Sequence, residues 1–458
     1  MSSHDLPKIA LAESLAEKIW GLDVSRLPDA VRRKCEDLVV DVVGLAVTAR
    51  NEDYVKAALA ACEDEGPCTA IGHARTLTAS GAAIVNGTAV HGEDFDDTFE
   101  GGPVHAGAVI VPAVLAACER HRLDGRAALL GIAVGVETMC RLATVAPTRT
   151  HKAGFHPTAV FGAMGAAAGV GAALKLSPHQ LVDGFGTAAS LASGIIEYLA
   201  EGTWTKRLHA GWAAQSGLQA ALFGRAGFSG PRTVFEGVHG FFHAFAHTTD
   251  GDYDALIGGF GERWVTETLA FKAYPCGTMT HPYIDCARRL AARGIKADDV
   301  VEMLCEVGEG TVHRLWEPLA AKQKPPNGYA GKFSTPYCIA AGFVRGNVGL
   351  SDFNDAAARD PKVVALAGKV RYQIDPQNPY PKNFTGHIRA KLRDGSVVEE
   401  RQPYMRGGAQ EPLTRDDVEE KFMLNAEHGG WNDERAAALL ERVKGLFDGP
   451  VDLTALRG

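Results

Sequence analysis

A chain of 458 residues, 46% of them hydrophobic and 22% charged, has the composition of a folded globular protein rather than a disordered one. Its length suggests two or three domains. A net charge of −8 gives no general attraction to nucleic acid or to an anionic membrane, so an anionic ligand would need a local cluster of cations.

Taken in chain order, the N-terminus carries acids inside a helical pattern and lacks the basic start and apolar run of a signal peptide. Leu11, Leu15 and Ile19, then Val31, Cys35, Leu38, Val39 and Val42, recur at helical spacing. Pro28 stands where a helix start tolerates a missing N–H. Three Ala-rich segments, Val109–Arg120, Ala159–Leu174 and Trp212–Arg225, predict helices whose small faces allow close packing. The most apolar stretch, Thr158 to Leu174, is too rich in Ala and Gly to predict a membrane span. The first 265 or so residues therefore predict a bundle of packed helices.

The texture changes near Phe271. Val300–Val307 and Val370–Ile374 are bounded runs that predict strands. Gly386–Leu392, the turn Asp394-Gly395 and Ser396–Glu400 predict a hairpin. Helices are expected around Pro282–Arg293 and Ile339–Val344. After Gly407 the helical pattern returns over Thr414–Ala426 and Glu434–Leu446, a tail expected to pack back on the first domain. Nine scattered cysteines without a C-x-x-C pair read as reduced thiols, and the cytoplasm is the expected compartment.

Five clusters carry residues suited to chemistry. In His91-Gly92-Glu93-Asp94-Phe95-Asp96-Asp97-Thr98, followed by His105, four acids in five positions repel one another. Composition alone makes this a solvated loop, and the alternative is a run held by cations; EF-hand spacing is absent. His156, ahead of Pro157, is pushed toward an extended conformation at a helix entry, where anions are favoured. The glycines from Gly162 to Gly171 have no preceding strand, so they read as helix packing rather than a dinucleotide loop. Lys206, Arg207 and His209 make a natural carboxylate receptor or a basic helix start. Phe271-Lys272-Ala273-Tyr274-Pro275-Cys276-Gly277 falls at the apparent domain boundary, as a ligand-binding segment or a surface turn. Gly331–Tyr337 offers Tyr337 near Lys332, a proton donor or a structural tyrosine. A sixth feature, His239, His243 and His247, would share one face of a continuous helix and present a zinc enzyme as the alternative class; Gly240 weakens that helix.

Together the segments NGTAVHGEDFDDT with VHAG, GFHPTAVFGAMGAAA, GTWTKRLHAGWAAQSG, FKAYPCG with THPYID, and GKFSTPY resemble the MmgE/PrpD family, from about Leu15 to Ala426. The resemblance implies a mainly α fold: a large all-helical domain built from residues 1–268 and 405–458, with an inserted smaller α/β lid domain at 269–404. It implies a homodimer with its site between domains, a small carboxylic acid as substrate, and no cofactor or metal; the charge balance adds the expectation of no nucleic-acid or membrane partner. By motif position the site residues would be Asp94, Thr98, His105, His156, Lys206, Lys272 and Tyr337, with Arg207 in support. One departure is Gly277, where the family's decarboxylases carry a His.

The implied chemistry removes a proton beside a carboxylate. Lys206 and Lys272 would stabilise the developing charge, His156 or His105 would act as base, Asp94 would fix a tautomer, and Tyr337 would return a proton. A 2-methylcitrate dehydratase-like lyase leads; an iminodisuccinate-type epimerase and a cis-aconitate decarboxylase share the same charge problem.

Overall fold

The structure, a computed structural model, describes residues 9–458; the first eight residues, which the sequence assigns to the start of the helical domain, lie outside it. The chain is mainly α-helical and divides into two compact units. The first comprises the described residues up to Gly92, Asp96–Leu269 and Thr414–Gly458. The second comprises Ala270–Leu413 and the tripeptide Glu93–Phe95, which the sequence pattern assigns to the helical segments.

The first unit is built from helices α1 (Leu11–Trp20), α2 (Asp29–Ala49), α3 (Ala79–Gly92), α4 (Gly107–His121), α5 (Gly125–Val145), α6 (Pro157–Ala173), α7 (Pro178–Leu191), α8 (Tyr198–Glu201) and α9 (Thr205–Arg225). Every residue of α6 is buried. Its Ala/Gly composition explains how, because a helix apolar all round is stable only at the centre of a core. The glycines of Gly162–Gly171 thus lie inside a continuous helix. Helices α3 and α9 approach through glycines: a Cβ on Gly87 would fall 2.7 Å from the Cα of Gly211. This contact brings the C-terminal end of α3 and the first turns of α9 together. Among the described residues, the one helix long and apolar enough to cross a membrane is α5, not the Thr158–Leu174 stretch. It is 94% buried within the protein, as core helices are.

The three-histidine face does not form. Helix α10 spans only Phe241–Ala246; Gly240 before it is extended, and His247 after it is left-handed with φ 51°. His239 and His243 therefore meet only as an edge-on ring pair, and His247 leaves the helix axis, so the zinc reading is corrected.

The second unit holds α11 (His281–Ala292), β1 (Val300–Val307), α12 (Thr335–Arg345), β2 (Val370–Ile374), β3 (Gly386–Leu392) and β4 (Val397–Gln402). The sheet order is β2-β1-β3-β4, parallel between β2 and β1 and antiparallel elsewhere. The Asp394-Gly395 turn closes the expected hairpin because Gly395 adopts φ 86°, a conformation open to glycine. Ile284, Ala287 and Leu290 of α11 share a core with Ile339 and Phe343 of α12 and with Met303, Cys305 and Ile388 of the sheet.

The chain then returns to the first unit with α13 (Arg415–His428) and α14 (Asp433–Lys444). Thr414 caps α13 reciprocally with Asp417. Lys421 pairs with Asp41 of α2 at 2.7 Å, both buried. All nine cysteines are free, and Cys62 is the single one not buried.

Candidate active site

The acidic run is not a solvated loop. Asp94, Asp96 and Asp97 are buried, and each of the four acids has a specific partner. In the first unit, Asp96 Oδ2 lies 2.6 Å from His91 Nδ1, and its Oδ1 lies 3.6 Å from His105 Nδ1. Asp97 accepts from the backbone N–H groups of Ala106 (3.0 Å) and Gly107 (2.8 Å), anchoring the entry to α4. Burial, then the charges of Asp96 and Asp41, push the Asp97 carboxyl well above its usual range. In the second unit, Lys332 Nζ donates to Glu93 Oε2 (2.7 Å) and to Glu93 O (2.6 Å). Lys272 Nζ donates to Asp94 O at 2.8 Å and stands 3.3 Å from Asp94 Oδ1. Composition suggested exposure because it counts repulsion within the run and cannot see its partners, which for Glu93 and Asp94 come from distant sequence.

The first unit gathers four imidazoles. His91, at the end of α3, stacks on His156 with ring centroids 5.6 Å apart and planes at 25°. His105 lies 4.9 Å from His91, with the planes at 52°. His209 of α9 completes the row, 5.4 Å from His156, with its Nδ1 3.2 Å from His156 Nδ1. His156 caps α6 in the extended conformation expected ahead of Pro157, and its backbone N–H donates to Gly194 O at 2.9 Å. Gly194, at φ 125°, leaves room for the His209 ring: a Cβ there would meet Ala159 Cβ at 2.6 Å and His209 Nδ1 at 3.3 Å.

These contacts fix protonation. His105 Nδ1 lies 2.7 Å from Asp97 O, an acceptor only, so Nδ1 carries a proton. Burial holds His156 well below the usual imidazole range, helped by the charges of His91, Lys206, His209 and His105. Burial, His91 and Lys206 lower His209 to about 4. His156 and His209 are therefore neutral near pH 7. The region disfavours further positive charge, and a bound anion would relieve that condition.

Of the other residues expected here, Thr98 is buried in the first unit and Lys206 acts on His156 and His209 through its charge. Arg207 lies over the ring of Tyr54, 4.3 Å from its centroid. In the second unit Lys272 and Asp94 are brought together, while Tyr337 is committed elsewhere: its hydroxyl donates to Asp352 O at 2.6 Å. The Lys272 segment is no surface turn. Phe271, Lys272, Tyr274 and Cys276 are buried, and Tyr274 donates to Asp285 Oδ1 while accepting from Arg288 Nη1 at 2.6 Å.

His91 and Asp96 were not singled out as site residues, although both stand in a segment that was, and His209 was named only as part of a carboxylate receptor with Lys206 and Arg207. The available signal was the spacing of Lys206 and His209, three apart on α9 and hence on one face. His91, Asp96 and His105 offer donor atoms within 4.8 Å of one another, a set able to surround a metal ion. Asp96 and His91 already satisfy each other by hydrogen bonding there.

A cavity of about 500 Å³ opens beside His209, lined also by Gly194, Tyr198, Glu197 and Glu201. Apolar side chains of Ile195, Leu208 and Trp212 complete its wall.

Residues 13–254 match the MmgE/PrpD N-terminal domain and residues 274–445 the MmgE/PrpD C-terminal domain. The chain is 27% identical to the cis-aconitate decarboxylase of Mus musculus, covering 98% of this chain and 94% of that protein. It is 27% identical to a cis-aconitate decarboxylase of Aspergillus terreus over 99% of this chain and 96% of that protein. A 2-methylcitrate dehydratase-like protein of Aspergillus oryzae is 26% identical over 35% of each chain.

Proposed function

We propose that this chain, which belongs to the MmgE/PrpD family, is a cofactor-independent lyase that removes a proton beside a carboxylate of a small di- or tricarboxylic acid. The observation that carries this reading is the row of imidazoles, His91 and His156 buried within it, with Lys206 beside it. Loss of the proton creates an enediolate-like anion, which fixed positive charge and hydrogen-bond donors stabilise by several kcal/mol, ~3 per group. Lys206 and Lys272 are assigned that work. His156 is assigned as base, being neutral and buried, with His105 the second candidate. Asp94 stays with Lys272, and Thr98 and Arg207 are assigned to substrate binding. Tyr337 would have to leave Asp352 before it donated a proton, so the acid step is not assigned to it.

Dehydration of a 2-methylcitrate-like substrate is the first reaction proposed. Loss of CO2 from a cis-aconitate-like tricarboxylate is the second, favoured by the relatives that span nearly the whole chain. Both form the anion beside a carboxylate and differ in what leaves. The first unit is taken as the family's helical domain and the second as its α/β lid domain. A cytoplasmic homodimer is also proposed, which light scattering on purified protein and cell fractionation check.

A panel assay on 2-methylcitrate, citrate and cis-aconitate, following both the alkene and CO2, separates the reactions. An epimerase would instead wash solvent deuterium into the α position with no alkene. His156→Ala and Lys272→Ala are each expected to lower turnover at least about a hundredfold, the usual effect of a lost acid–base or charge-stabilising group. Near-normal turnover in both folded variants would remove the assignment.

A further inference from the structure

His156 and His209 differ from the other imidazole contacts in having ring nitrogens face to face, Nδ1 to Nδ1 at 3.2 Å. Two protons cannot fit in that gap, and two lone pairs would repel across it, so the neutral pair holds one proton between them. One ring is then the Nδ1–H tautomer with a free Nε2; the other carries its proton on Nε2. Exchanging the two states moves the shared proton across the gap while the Nε2 of one ring gains a proton and the Nε2 of the other loses one. The pair also connects different surroundings. His156 is buried among His91 and His105, whereas His209 lines the 500 Å³ cavity with Glu197 and Glu201.

We propose that His209 is the proton exit of the site, carrying to the cavity the proton that His156 takes from substrate. This rests on the reading of His156 as the base. In the step, the substrate C–H bond breaks, its electron pair stays on carbon, and the proton bonds to His156 Nε2. The His156 Nδ1–H bond breaks as that proton passes to His209 Nδ1. The proton on His209 Nε2 leaves to a carboxylate or water in the cavity. Charge is conserved at each transfer, and return of a proton along the same route restores both tautomers. The groups facing the pair are Lys206 on α9, Tyr198 on α8, His91 on α3 and His105; Glu197 and Glu201 border the cavity. Burial and the cationic neighbours keep both rings neutral near pH 7, which a one-proton pair requires.

His209→Gln keeps a polar side chain of similar size but cannot relay a proton. Turnover is measured on 2-methylcitrate or, if the wild type consumes cis-aconitate instead, on that acid, where CO2 leaves the anion behind and the pair carries a proton inward to it; His156→Gln is measured alongside, as a function of pH and of added imidazole. The expected result is a folded His209→Gln enzyme with KM within about threefold of wild type. Its kcat should fall at least about tenfold, with an altered pH profile and partial recovery in imidazole. Wild-type kcat and pH profile in His209→Gln, with His156→Gln inactive, would overturn the relay while leaving His156 as base. Loss of kcat that imidazole does not restore, with an unchanged pH profile, would also overturn the relay by making His209 structural. Full activity in both variants would overturn the functional reading itself. Should His209→Gln fail to fold, nitrogen NMR of the wild-type imidazoles decides: one Nδ1–H and one Nε2–H tautomer are expected, and two Nε2–H tautomers would end the proposal.

Discussion

Asp96 is a carboxylate shared between two imidazoles, 2.6 Å from His91 and 3.6 Å from His105. An amide in its place would turn an N–H₂ group toward one of them. Asp96→Asn is therefore expected to lower kcat about 10–100-fold, the scale for losing a group that orients a functional histidine; steady-state kinetics on a folded variant check it, and an unchanged kcat would show the bridge to be structural. The depressed imidazoles also act on stability. His209 in the folded chain titrates at about 4 instead of 6.5. Between these values the unfolded chain binds the proton and the folded chain does not, so this contribution is complete above 6.5 and is lost as pH falls toward 4. Urea midpoints measured from pH 7 down to about 4.5 should accordingly fall more steeply for wild type than for His209→Gln. The comparison with a variant matters because Asp97, raised well above its usual range, pulls the other way in both proteins. None of these pairings was legible in the sequence. His91 and His156, or His156 and His209, are too far apart along the chain for spacing to reveal a contact, and the lysines that hold Glu93 and Asp94 come from equally distant segments.

At the scale of elements the sequence was far more informative. Strands Val300–Val307 and Val370–Ile374 and the Asp394-Gly395 hairpin were readable because alternation and turn chemistry are local properties. The Ala-rich segments announced helices for the same reason. What they did not announce was which helices meet. The α3–α9 contact depends on two glycines that look unremarkable in either helix alone, and it sets the spacing between the elements carrying His91 and His209. A Cβ at Gly211 would fall 2.2 Å from Ile84 O, so Gly211→Ala must push the helices apart. The expected cost is about 1–3 kcal/mol, measurable by urea unfolding, with activity falling further than stability alone predicts. Gly277 gives the opposite case. Its φ is −56°, and a Cβ would meet nothing closer than 3.5 Å, so Gly277→Ala should leave the unfolding midpoint nearly unchanged.

For the whole molecule, the helical bulk and the change of texture near Phe271 were plain in the sequence, whereas the membership of Glu93–Phe95 in the second unit was not. Those residues sit between two stretches of the first unit in sequence, and their ties include Lys272 and Lys332 of the second. Lys332 is 2% exposed, and truncating it would leave Glu93 facing a space without its counter-charge. Lys332→Ala is expected to destabilise the protein by about 3–5 kcal/mol, as breaking a buried ion pair usually does; a calorimetric melt close to wild type would show the pair to be dispensable. The tripeptide has a further consequence for anyone cutting or recombining the gene. No uninterrupted reading frame encodes the second unit: a fragment beginning at Ala270 would carry two ammonium groups to the inside and leave their carboxylates behind. Chimaeras between relatives should therefore exchange Glu93–Phe95 together with 270–413, since the short piece is an inseparable part of the long one.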